Sequence, residues 1–176
     1  MSIGIIILII VAALIVLPLI VALFTNKDYT VSREVLINAS NQKVYDFLKQ
    51  LKNQDHFNKW VMKDPGMKRE FRGTDGTVGF VYAWDGDKRA GAGEQEIKNL
   101  EEGKRIETEI RFVRPFVAVA DVNLYIEAIS AGQTKVSWSN ASKMAYPMNV
   151  MKAMIEKMLA KDMDESLLNL KKILEQ

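Results

Sequence analysis

Apolar and polar positions along the 176-residue chain change period several times, and each change predicts an element. From Ile3 to Phe24 every residue except Gly4 and Pro18 is strongly apolar. A helix of that length spans about 33 Å, enough to cross a hydrocarbon core of about 30 Å. From Asp28 to Asn38 the pattern has period two, with Tyr29, Val31, Arg33, Val35 and Ile37 on one side, which predicts a strand. Ser40 is placed to cap a following helix, in which Val44, Tyr45, Phe47, Leu48 and Leu51 recur at helical spacing. A second short helix is predicted over Gln54 to Trp60, ended by the turn Asp64-Pro65-Gly66.

Six strands follow, divided by turn signals at Gly73 to Gly76, Asp85-Gly86-Asp87, Glu101-Glu102-Gly103, Arg114-Pro115 and Ala131-Gly132. Val78, Phe80, Tyr82 and Trp84 form one apolar row. Ile106, Thr108, Ile110 and Phe112 form another, against Arg105, Glu107, Glu109 and Arg111 on the opposite side. Ala118, Ala120, Val122, Leu124 and Ile126 make a third, and Val136 and Trp138 a fourth. A sheet apolar on one face needs a cover. The stretch from Asn149 to Glu175 supplies it: Met151, Met154, Ile155, Met158, Leu159, Met163, Leu167, Leu170 and Leu174 recur at steps of three and four. The predicted class is therefore α+β: a strand, two short helices, six strands and a long terminal helix, preceded by an apolar helix.

Charge sharpens the division. Residues 1–26 carry no charged side chain, so all 24 basic and 22 acidic residues lie in 27–176, a segment long enough to bury its own core. This predicts a membrane anchor over residues 1–27 and one domain over 28–176. A cleaved signal peptide is the alternative. It is disfavoured because no Lys or Arg precedes the run, the run is long, and Leu23-Phe24-Thr25-Asn26 lacks a small-x-small cleavage site. Lys27 and Arg33, after the run, orient the domain toward the cytoplasm by the positive-inside tendency. A net charge of +2 with interleaved signs gives no nucleic-acid footprint, and the chain has no cysteine for a disulfide, a thiolate metal site or a thiol nucleophile.

The opening stretch VSREVLINASNQKVYDFLKQL, the short helix HFNKW, the segments VGFVYAWDG, GAGEQEIKNLEEGKRIETEIRF and TKVSWSNAS, and the closing amphipathic helix resemble the START-like, or SRPBCC, superfamily over about residues 29–176. Bacterial members are grouped as polyketide cyclase/dehydrase-like. The resemblance implies a helix-grip fold: a curved antiparallel sheet of about seven strands around the terminal helix, enclosing a cavity for lipids, sterols, polyketides or other apolar molecules. It speaks for fold more than for activity.

The expected ligand cavity is lined by Phe80, Tyr82, Trp84, Thr108, Ile110, Phe112, Leu124 and Trp138 from the strands and by Met151, Met154, Ile155 and Met158 from the helix. Six of nine methionines lie between Met144 and Met163, and flexible, polarizable side chains suit ligands of variable shape. The same stripe also serves as plain core. Gln95 is a further polar candidate whose face the pattern leaves ambiguous. The expected volume is a few hundred Å³.

No cofactor and no metal is expected: His56 is the only histidine, placed at the rim, and Glu94 and Glu96 lack convergent partners. Gly91-Ala92-Gly93 reads as a closely packed strand start rather than a phosphate loop, and Ser137, Ser139 and Ser142 have no histidine at a nucleophile's spacing. The leading expectation is a membrane-anchored module binding a hydrophobic small molecule or lipid. A cyclase/dehydrase-type enzyme would draw its acid or base from Tyr82, Glu94, Asp121 or His56. A protein-interaction domain without a cavity is the third reading, in which a protein partner takes the place of the ligand.

Overall fold

A computed structural model describes residues 2–176. The elements are α1 (Ile3–Phe24), β1 (Asp28–Ile37), α2 (Asn41–Lys49), α3 (Gln54–Phe57), α4 (Lys59–Met62), β2 (Lys68–Arg72), β3 (Val81–Asp85), β4 (Ala92–Glu101), β5 (Arg105–Arg114), β6 (Ala118–Ser130), β7 (Gln133–Lys143) and α5 (Lys152–Leu174). Single 3₁₀ turns at Leu51–Asn53 and Met148–Met151 lead into α3 and α5. The seven strands form one antiparallel sheet in the order β1-β7-β6-β5-β4-β3-β2. Consecutive strands β2 to β7 pair as a meander, and β1 closes the far edge against β7. Shifts of register between Ala92 and Gly93, Ile97 and Asn99, and Ala128 and Ser130 bend the strands.

The alternation read from the sequence sorts the faces. Val31, Ile37, Ile106, Val122, Ile126 and Val136 are buried and meet Ala160, Met163, Leu167, Leu170 and Leu174 of α5 and Val44, Tyr45 and Leu48 of α2. A second cluster joins Leu51, Met67, Phe80, Tyr82 and Ile97. On the outer face Arg111 holds Glu94, Glu96 and Glu109. Ser40 caps α2 by accepting from the Lys43 backbone N–H at 3.4 Å.

Two elements depart from the pattern. β3 begins at Val81, and Val78 is exposed rather than inward, because Gly79 sits at φ +87° and turns the chain before the strand starts. The second short helix divides into α3 and α4 at Asn58, whose extended backbone (ψ 114°) stops one turn and whose side chain accepts from the Trp60 N–H to start the next. α4 is tied to α5 where Lys59 and Lys63 flank the buried Asp162 at 3.3 and 3.1 Å.

Candidate ligand-binding site

Two spaces lie along the sheet, one on its inner face and one that wraps its end. The first is enclosed and small, about 30 Å³, between α2, α3 and the middle of β4 to β7. Leu48, Phe57, Val122 and Leu124 give it apolar walls, and Gln54, Asn58, Gln95 and Thr108 bring polar groups. Gln95 Nε2 donates to Thr108 Oγ1 at 2.8 Å, and Thr108 Oγ1 donates to the Val122 carbonyl at 3.0 Å. Asn58 Nδ2 donates to Gln54 Oε1 at 3.2 Å. Trp138 also lines the space, and its Nε1 is a buried donor without an acceptor among the described residues. Such a volume admits a water or the polar tip of a larger molecule.

The second is an open depression of about 620 Å³ at one end of β3 to β6. Trp84, Phe112, Val117 and Ala118 contribute apolar surface, and Asp85, Glu94, Arg111 and Arg114 the rim. Trp84 and Phe112 meet edge to face with centroids 6.0 Å apart. Gly93 makes this possible: a Cβ there would lie 2.8 Å from the Trp84 ring and 2.6 Å from the Arg111 carbonyl oxygen. Gly91, at φ +67°, sits so close to Arg114 that a Cβ would come within 2.5 Å of its carbonyl oxygen. The glycines are thus close-packing positions at the start of β4, as the sequence predicts.

The inner rows connect the two spaces. Thr108, Ile110 and Phe112 follow one another on β5, Gln95 and Gly93 on β4, and Val122, Ala120 and Ala118 on β6, from the enclosed space to the open one. The residues marked from sequence divide accordingly. Thr108, Leu124 and Trp138 line the first space, Trp84 and Phe112 the second, and Ile110 packs between. Gln95, left ambiguous by its pattern, faces inward. Phe80 and Tyr82 are buried in the second core cluster instead. The Tyr82 hydroxyl leaves the interior, donating to Asp55 Oδ1 at 2.5 Å and accepting from Arg69 Nε at 2.9 Å. Burial, then the bond to Asp55, pushes its pKa far above that of an ordinary tyrosine.

The terminal helix differs most. Met151, Met154 and Met158 are exposed, the last two at 56% and 52%, and Ile155 is only half-buried. They stand on a flank of α5, because the face turned to the sheet carries Ala160, Met163 and Leu167 and the side toward α4 carries Asp162 and Ser166. The first space, about 30 Å³, is smaller than the few hundred Å³ expected, and no residue of α5 lines it. The candidate acids and bases are also engaged or outward. Glu94 is held below the usual carboxylate range by hydrogen bonds from Arg72 and then Arg111, while Asp121 and His56 are exposed.

Comparison with protein families places residues 28–175 within a family model described as polyketide cyclase / dehydrase and lipid transport. The chain belongs to this family. The match begins where α1 has ended and covers the whole sheet and α5. Among solved structures, norcoclaurine synthase from Thalictrum flavum, in complex with dopamine and hydroxybenzaldehyde, is similar at 10% identity and TM-score 0.63 over 88% of this chain and 90% of that one. The Aha1 dimer from Colwellia psychrerythraea is similar at 16% identity and TM-score 0.56 over 84% and 96%. A protein from Chromobacterium violaceum gives 14% identity and TM-score 0.60 over 84% and 98%. These likenesses establish the helix-grip fold. A comparison with functionally curated proteins returns no match.

In this cyclase/dehydrase-family domain, sequence reasoning missed Val117, Arg114 and Gly93 as parts of the open depression. The Gly91-Ala92-Gly93 spacing was the available signal for the third. The β5–β6 turn offered only an unusual apolar pair, Phe116-Val117, where turns are ordinarily polar.

Proposed function

We propose that the chain is a membrane-anchored binding domain for a hydrophobic small molecule, with α1 spanning the bilayer and residues 28–176 holding the ligand. The observation that carries this is the depression at Trp84, Phe112, Val117 and Ala118, whose volume of about 620 Å³ falls within the ordinary range for ligand sites. Burial of the ligand's apolar surface supplies the affinity, at about 25 cal/mol per Å² before the costs of ordering. A polar end extending inward along the Phe112, Ile110, Thr108 row would reach Gln95, Thr108 and Trp138. α1 supports the anchoring: its 22 residues are long and apolar enough to cross a membrane, and only Ala22 is buried against the domain.

The full chain, released in mild detergent and examined by native mass spectrometry with lipid extraction, is expected to carry an apolar molecule. Ala118→Trp places an indole on the floor of the depression and is expected to lose that molecule while keeping its circular-dichroism spectrum. A folded Ala118→Trp variant that retains the molecule as well as the parent does would refute this site.

A further inference from the structure

We infer that the open end of the domain is inserted into the bilayer that α1 crosses, so that the ligand depression opens into lipid rather than into water. The inference rests on the reading of α1 as a membrane span and adds to it a docking surface.

Four hydrogen bonds tie the domain to the end of α1 and the segment that follows it. Asn149 Nδ2 donates to the Ala22 carbonyl at 2.6 Å and to the Thr25 carbonyl at 2.8 Å. The Lys27 carbonyl accepts from the Met144 N–H at 2.8 Å, and Lys152 Nζ donates to the Asp28 carbonyl at 2.7 Å. A 22-residue helix is about as long as the hydrocarbon core is thick. Ala22 to Phe24 therefore lie at its boundary, and so does Asn149, which bonds the backbone there. Tyr146, Met148, Val150 and Met151, the exposed apolar neighbours of Asn149, fall at headgroup depth.

Strand register brings a second group to the same end. Asp28 pairs with Lys143, and Ser142 pairs with Ala120, so the β5–β6 turn projects past the strand ends beside the point where α1 leaves. That turn presents Phe116 at 64% and Val117 at 86% exposure. Among the described residues outside α1, ten of the seventeen exposed large apolar side chains fall within the two segments 113–119 and 146–158. The turns at the other end of the sheet, Glu101 to Lys104 and Ser130 to Gln133, carry no exposed large apolar side chain. A patch so polarised marks an interaction surface, and its continuity with α1 identifies lipid as the occupant. Lys27, Lys88, Arg89, Arg114, Lys143 and Lys152 stand at these tips against Asp28, Asp85 and Asp87, a balance that suits anionic headgroups. The depression lies between the β3–β4 and β5–β6 tips, so seating the tips among the headgroups, with Phe116 and Val117 just below them, turns its mouth toward lipid.

The chain has no cysteine, so single labels can be placed on the full-length protein. Val117→Cys, Ala131→Cys and Leu14→Cys are each labelled with an environment-sensitive fluorophore and reconstituted into phosphatidylcholine–phosphatidylglycerol vesicles. Nitroxide-labelled phosphatidylcholine is then added as quencher. The label at position 117 is expected to lose most of its emission to a nitroxide just below the headgroups, the label at 131 to keep its own, and the label at 14 to be quenched by a nitroxide deep in the chains. Quenching at 14 without quenching at 117 overturns the docking surface and leaves the span standing. Absence of quenching at 14 removes the span itself. Shielding at 117 that grows with protein density and ignores the nitroxide assigns the patch to another protein chain and equally overturns the proposal.

Discussion

Tyr82 is a core residue with a polar tip that the sequence could not place. Its ring lies in the cluster of Phe80, Met67 and Ile97, while its hydroxyl joins Asp55 and Arg69, themselves 3.1 Å apart. Alternation along the strand puts Phe80 and Tyr82 inside, and both are buried. The partner of the hydroxyl is 27 residues upstream on α3, and no local pattern links the two. The environment carries a pH signature. The folded pKa lies above the unfolded one, so the protein holds the Tyr82 proton more tightly than the unfolded chain does. The associated stability is fully present below the unfolded value of about 10 and is lost as pH rises through the window above it. Tyr82→Phe removes one hydroxyl and leaves the Asp55–Arg69 pair. It is expected to cost about 1 kcal/mol at neutral pH, and the gap to the parent should narrow above about pH 10. Urea unfolding on either side of that pH measures both quantities, and a gap constant across it would show that the hydroxyl is not held as described.

At the scale of elements, α5 shows what a hydrophobic period can and cannot reveal. The steps of three and four from Met151 to Leu174 identify a long amphipathic helix, and α5 is one. They do not reveal which part of the stripe is covered. Met163, Leu167, Leu170 and Leu174 reach the sheet and α2 and are buried, whereas Met154 and Met158 stand on a flank at the open end. Cover depends on the neighbouring elements, which come from distant sequence: the ties from α4 at Lys59 and Lys63 reach α5 no nearer its start than Asp162. The strands were more legible, because period two fixes a face wherever one side is buried. The prediction is a sharp contrast within one helix. Met163→Ala should cost about 2–5 kcal/mol in urea unfolding, as buried truncations do. Met158→Ser should stay within about 0.5 kcal/mol, as exposed substitutions do. Similar losses at the two positions would mean that the stripe is packed along its whole length.

For the molecule as a whole, the sequence distinguishes the apolar helix from the domain by its unbroken apolar run and its lack of charge, and the family match begins where that helix has ended. What it does not show is that the two are hydrogen-bonded to each other. The joint depends on Asn149, an uncharged polar residue in a short turn, buried with its amide nitrogen on the Ala22 and Thr25 carbonyls. These are carbonyls of the last turn and C-cap of α1, which have no partner within the helix, so the side chain replaces water at a helix end. Asn149→Ala breaks both bonds but touches neither core cluster. The domain's melting temperature should therefore barely move, while the segment between α1 and β1 opens more often. Lys27 lies in that segment and is an exposed tryptic site. Losing two hydrogen bonds worth about 1 kcal/mol or less each raises local opening by roughly tenfold. In detergent, native-state trypsin cleavage after Lys27 should accelerate by that order in Asn149→Ala, while cleavage of the domain itself keeps its rate. Equal rates at Lys27 in the two proteins would show that the remaining bonds, Met144 to Lys27 and Lys152 to Asp28, are enough to hold the helix against the domain. An acceleration would assign the closure of the segment between α1 and β1 to a single side-chain amide.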